Sequence, residues 1–164
     1  SEIDTLIDTV ESRYTTFARG DTSDQSLRAS RKHRAFGGFS MGATTTWDVF
    51  ALRPQYFYGY MPMAGESWIG REEDADFPRI AELVTDGALR AGYGPSDFRI
   101  LASVGSEDPA LWDMTPQLDE LYQDYPDLMT ESSLQVWIDE GESHSMASVG
   151  NQVAHNLPLL FPHS

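Results

Sequence analysis

Five residues carry the clearest chemistry in this 164-residue chain: Gly38-Phe39-Ser40-Met41-Gly42. G-x-S-x-G is what a serine nucleophile needs when it sits on a sharp turn from strand to helix. The small residues let strand and helix close up, so the strained serine can lift its hydroxyl above the sheet edge. The pattern is short enough to occur by chance, so its surroundings decide its meaning. Upstream, Arg34 to Phe39 is a brief apolar run bounded by charge, which predicts a buried strand. Downstream, Ala43 to Arg53 lacks proline, spaces Trp47, Phe50 and Ala51 as a helix would, and stops before Pro54. The start of that helix puts the Met41 backbone N–H beside the serine, where it can donate to a developing oxyanion.

A nucleophilic serine needs a base, and the base needs an orienting carboxylate. Phe98 to Val104 reads as a buried strand running into Gly105-Ser106-Glu107-Asp108-Pro109, a turn that presents acids at the strand's carboxyl end. Asp108 is the candidate there, with Glu107 as direct competitor. Leu134 to Ile138 reads as another strand, followed by a loop that holds His144. His33 precedes the nucleophile strand, His155 falls within the last predicted helix and His163 is next to the terminus, so His144 is the candidate base. The order Ser40, Asp108, His144 is that of α/β-hydrolases and differs from the chymotrypsin and subtilisin orders.

The elements that position these residues alternate. An amphipathic helix is predicted from Ser1 to Ala18, with Ile3, Leu6, Ile7, Val10, Tyr14 and Phe17 on one face. Further strands and helices are predicted at Tyr56 to Met63, Phe77 to Gly92, Thr115 to Tyr122 and Met146 to Leu157. Gly20 to Lys32 reads as a polar connection and Gly70 to Asp76 as an acidic loop. The expected architecture is one α/β domain over residues 1–164, a mostly parallel sheet with flanking helices.

Composition excludes several classes. A net charge of −15 with one lysine, Lys32, opposes nucleic acid or an anionic membrane as partner. No apolar run is long enough to span a bilayer. With no cysteine there is neither a disulfide nor a thiol nucleophile, and four scattered histidines give no metal-ligand spacing. The predicted chemistry needs no cofactor.

Several separate motifs also carry a family resemblance. His33 to Gly42, Thr45-Thr46-Trp47, Met61 to Trp68, Gly105 to Asp108 with Met114 to Gln117, and Gly141 to His144 together resemble the feruloyl esterase branch of carbohydrate esterase family 1, related to esterase D. The resemblance runs from the first helix to Phe161. It implies a secreted α/β-hydrolase-type serine esterase acting on feruloyl or hydroxycinnamoyl esters of plant cell-wall polysaccharide. Acetyl-ester or thioester hydrolysis is the alternative within the fold, because the elbow and triad do not encode the acyl group. Trp68 and Met146 are the expected substrate contacts. Ser145 and Met146 stand where the family often has aromatic residues. The family's first strands and the loop giving its second oxyanion N–H have no counterpart in this sequence. That leads us to expect an incomplete domain, completed by a second segment or subunit, or else a half-domain contributing binding or assembly surface only.

Overall fold

The computed structural model describes residues 2–71 and 75–161. Four strands form one parallel sheet in sequential order: β1 (Ala35–Phe39), β2 (Gly59–Met63), β3 (Arg99–Gly105) and β4 (Leu134–Asp139). The strands are parallel because each return passes through a helix. Those crossovers are α3 (Met41–Leu52), α4 (Phe77–Arg90) and α5 (Leu111–Asp124), with α6 (Met146–Leu160) after β4. This is the parallel α/β sheet with flanking helices expected from the alternation of apolar runs and helical spacing.

Register brings the strand ends level. Phe39 sits opposite Met63, Met63 opposite Ser103, and Gly105 opposite Asp139. The loops that follow the four strands therefore emerge along one edge of the sheet, where open α/β sheets bind ligands. One face packs under α3, α4 and α5, burying Trp47, Phe50, Ile80, Val84, Ile100, Met114 and Leu121. The other packs under α6, with Met61, Met63, Leu101 and Leu160 in contact. That second face is partly polar. The Ser103 hydroxyl donates to Gln152 Oε1 at 2.8 Å, and Asn156 Nδ2 donates to Ser103 Oγ at 2.9 Å, so these buried groups are paired.

Several predicted boundaries move, each for a local reason. The first helix, α1, covers Glu2–Arg13 and ends well before Ala18. The buried Glu11 carboxylate accepts from the Thr16 hydroxyl and the Gly20 N–H and lies 3.9 Å from Arg34 Nε, which turns the chain back. Tyr14 and Phe17 are consequently exposed, and Phe17 stacks on His33 at 3.5 Å between ring centres. The polar connection contains a short helix, α2 (Asp24–Ala29), capped by the Ser23 side chain and anchored by buried Leu27. Helix α5 starts one turn earlier than Thr115, because the N–H groups of Leu111, Trp112 and Met114 bond back to Asp108, Pro109 and Ala110. Pro116 is thus inside the helix. Likewise α6 runs through Pro158 to Leu160. The acidic loop falls partly outside the described residues.

Candidate active site

Ser40 adopts φ 58° and ψ −119° between β1 and α3. A non-glycine residue there costs about 1–3 kcal/mol, which surrounding contacts must offset. They are strong: Ser40 N–H donates to the Met63 carbonyl at 2.8 Å, and its own carbonyl accepts from Ala43 and Thr44 at 2.8 and 3.2 Å. Closure of the turn depends on Gly38. A methyl group on Gly38 would stand 2.6 Å from the Gly42 backbone, closer than any side chain tolerates. This is the physical content of the first glycine in the motif; a methyl group on Gly42 would meet nothing within 4 Å. Met41 begins α3, and its N–H makes no hydrogen bond among the described residues, as the first helical N–H groups do not.

The acid and histidine loops are bound to each other. Ser106 N–H donates to the Asp139 carbonyl at 3.0 Å, Glu107 N–H to the Glu142 carbonyl at 2.9 Å, and Gly141 N–H to Ser106 Oγ at 2.8 Å. Between them, His144 Nδ1 lies 2.8 Å from Asp108 Oδ2 and 3.0 Å from Oδ1. The Asp108 side chain is fully buried, while that of His144 is 40% exposed. Asp108 Oδ1 also accepts from the Ala110 N–H at 2.8 Å, which fixes the carboxylate before the histidine uses it. Glu107, the competitor, is exposed on the loop surface. Phe39 packs against the His144 ring at 4.5 Å between centres.

Ser40, Asp108 and His144 line one cavity of about 620 Å³, together with Met41, Thr44, Glu66, Trp68 and Arg71. No hydrogen bond joins Ser40 to His144 among the described residues. Trp68 is half exposed at the cavity wall. Met146 is not brought to this wall; as the first residue of α6 it is 81% exposed. A second, smaller cavity of about 340 Å³ lies over β4 and shares no lining residue with the first. There His155 stacks on Trp137 at 4.1 Å, which accounts for that histidine as packing. His163 lies outside the described residues. No cluster of potential metal ligands occurs among the described residues.

Sequence reasoning passed over Glu66 and Arg71. Glu66 Oε1 accepts the Trp68 indole N–H at 2.7 Å and Arg71 Nη1 at 2.6 Å. The spacing Glu66-x-Trp68-x-x-Arg71, directly after a strand's carboxyl end, was the available signal. Gln117 is explained by the structure: fully buried, it accepts the Ser67 N–H at 2.7 Å and ties the Trp68 loop to α5.

No family model matches the chain. Over 160 residues, 95% of the chain, it is 32% identical to endo-1,4-beta-xylanase Y of Acetivibrio thermocellus, of which it covers 14%. In solved structures it is similar to a serine-to-alanine mutant of the feruloyl esterase module from Clostridium thermocellum complexed with sinapinate. The TM-score is 0.88 at 30% identity, covering 98% of this chain and 57% of that one. S-formylglutathione hydrolase from Staphylococcus aureus, at TM-score 0.66 and 18% identity, shares the fold over 96% of this chain and 58% of its own. The chain thus spans a little over half of these solved chains. The resemblance read from the sequence motifs is present in sequence and in fold.

Proposed function

We propose that this relative of the feruloyl esterase module is a serine carboxylic ester hydrolase, cleaving feruloyl or related hydroxycinnamoyl esters of plant cell-wall polysaccharide. The observation that carries it is the buried Asp108 carboxylate gripping His144 Nδ1 beside the strained Ser40 elbow, in one cavity. In this mechanism His144 Nε2 takes the Ser40 proton as Oγ attacks the ester carbonyl carbon. Asp108 holds the proton on Nδ1 and stabilises the imidazolium. The Met41 N–H donates to the oxyanion, and His144 returns its proton to the departing alcohol. Water, deprotonated by His144, then attacks the acyl-enzyme and releases the free acid.

The flat acyl group would lie against Trp68, an aromatic wall with a polar handle. Because the similar esterase structure is complexed with sinapinate, a hydroxycinnamate is the acid we expect to fit. Strand β1 pairs with β2 alone among the described residues. A second segment or subunit completing the sheet there would supply the second oxyanion donor. As in the resemblance, we expect a secreted enzyme; no described helix is long and apolar enough to cross a membrane.

The test is substrate preference. Trp68→Ala should lower kcat/KM for methyl ferulate by about 10–200-fold, the range for a lost pocket contact, and lower it less for a short acetyl ester. A protein that hydrolyses acetyl esters well and methyl ferulate not at all would remove the feruloyl assignment and leave the serine esterase. Hydrolysis of neither would favour a half-domain that contributes surface only.

A further inference from the structure

Glu66 is 6% exposed, although a carboxylate is costly to bury without compensation. Both of its side-chain hydrogen bonds end on one oxygen: Oε1 takes the Trp68 indole N–H and the Arg71 guanidinium together. The residue that holds them cannot swing. Its carbonyl accepts the Thr44 hydroxyl at 3.0 Å, and the neighbouring Gly65 carbonyl accepts Trp47 Nε1 at 3.0 Å. On its other side Ser67 is fixed by Gln117 and donates its hydroxyl to Asp48 at 3.1 Å. Trp68 and Arg71 are themselves exposed. A rigid, buried anchor therefore carries two exposed side chains that would otherwise sample several rotamers.

All three residues line the cavity that contains Ser40 and His144, and Arg71 and His144 are its only basic lining side chains among the described residues. We propose that Glu66 is a positioning residue that locks Trp68 and Arg71 into one acyl-binding wall. The wall suits a planar aromatic acyl group bearing a polar oxygen: the ring lies on the indole, and the guanidinium donates to the oxygen. A thin indole face and a directional donor held by one atom keep their mutual spacing, which a flexible pair would not. This inference rests on the reading that the acyl group lies against Trp68.

The experiment has one arm without substrate and one with it. Glu66→Met removes the acceptor yet suits a buried site, and Glu66→Gln restores an oxygen acceptor. In the first arm, the near-ultraviolet circular dichroism of Trp68 is taken as the difference between otherwise matched proteins with Trp68 and with Trp68→Phe. That difference should collapse in the Glu66→Met background and persist with Glu66→Gln. An undiminished difference in Glu66→Met overturns the proposal. In the second arm, Glu66→Met should raise KM for methyl ferulate about tenfold while kcat for a short acetyl ester stays near the unmodified value. Equal losses on both substrates would make Glu66 a support of the loop's fold and refute a positioning role. Should Glu66→Met not fold, Glu66→Asp draws the anchoring carboxylate back by one methylene and takes its place: the Trp68 dichroism should fall and KM for methyl ferulate should rise relative to Glu66→Gln, and an undiminished dichroism refutes the proposal. If the unmodified protein does not hydrolyse methyl ferulate, the acyl assignment fails while the dichroism arm still decides what Glu66 holds.

Discussion

The junction between the acid and histidine loops makes a quantitative prediction at Gly105. A methyl group added there would stand 2.2 Å from the Glu142 carbonyl oxygen and 2.7 Å from its carbon. Unstrained contacts of this kind are near 3.5 Å, so a gap of more than about 1 Å must open. No side-chain rotation can open it, because both sides of the clash are fixed to the backbone. The Glu142 carbonyl is also the acceptor for Glu107 N–H, and Glu142 lies two residues before His144. Moving it strains the bond between the loops and displaces the histidine. Overpacking costs typically about 1–3 kcal/mol, and a backbone obstacle puts Gly105→Ala at the upper end. At about 2–4 °C per kcal/mol for a chain of this size, the melting temperature should fall by roughly 6–12 °C. Activity on a short acetyl ester should fall by about 10², the cost of a misplacement near 1 Å. Gly150→Ala is the control, because its added methyl meets nothing within 4 Å and lies inside α6. It should be neutral or stabilise by about 0.5–1 kcal/mol. Thermal unfolding followed by circular dichroism, with ester hydrolysis on the same samples, checks both. If Gly105→Ala melts with the unmodified protein and keeps its activity, the two loops are not coupled as described.

Three further substitutions test the site and its support. Asp108→Asn should reduce kcat by about 10⁴, the scale for a histidine whose tautomer is no longer held, and Glu107→Gln should cost far less; the reverse order would move the role to Glu107. Burial pushes the Asp48 carboxyl above its usual range, opposed by the Ser67 hydroxyl. A raised folded pKa means this group favours the fold while protonated and loses that contribution as pH rises through it. Asp48→Asn should therefore raise the melting temperature at neutral pH and change it little in acid, and an equal gain at both would exclude burial as the cause.

What the sequence made legible, and what it hid, divides by the range of the interactions. The strand, elbow and helix around Ser40 could be read because local contacts demand local residue types: Gly38 must lack a side chain where Gly42 crosses it. The parallel sheet followed from apolar runs alternating with helical spacing. Boundaries failed where a distant or backbone partner intervened. Glu11, inside the helix predicted from Ser1 to Ala18, turns the chain by drawing Thr16, Gly20 and Arg34 inward. The early start of α5 depends on backbone bonds to the acid loop, which no residue type announces. At the site, the packing of Phe39 on His144 and the sharing of one Glu66 oxygen by Trp68 and Arg71 join residues through the fold. Met146 shows the opposite limit, since adjacency to the histidine loop in sequence does not bring it to the cavity wall.

The most direct test of the whole account is where a covalent probe lands. A fluorophosphonate phosphonylates a serine, forming the Oγ–P bond as the P–F bond breaks and fluoride departs, only when a neighbouring base takes the hydroxyl proton and the hydroxyl is presented to solvent. Incubation of the protein with the probe, followed by intact mass and peptide mapping, should give a single adduct on Ser40. The adduct should be absent from Ser40→Ala and strongly slowed in His144→Ala. Labelling of any other serine, or unchanged labelling after His144→Ala, would contradict the claim that Ser40 is a nucleophile activated by His144.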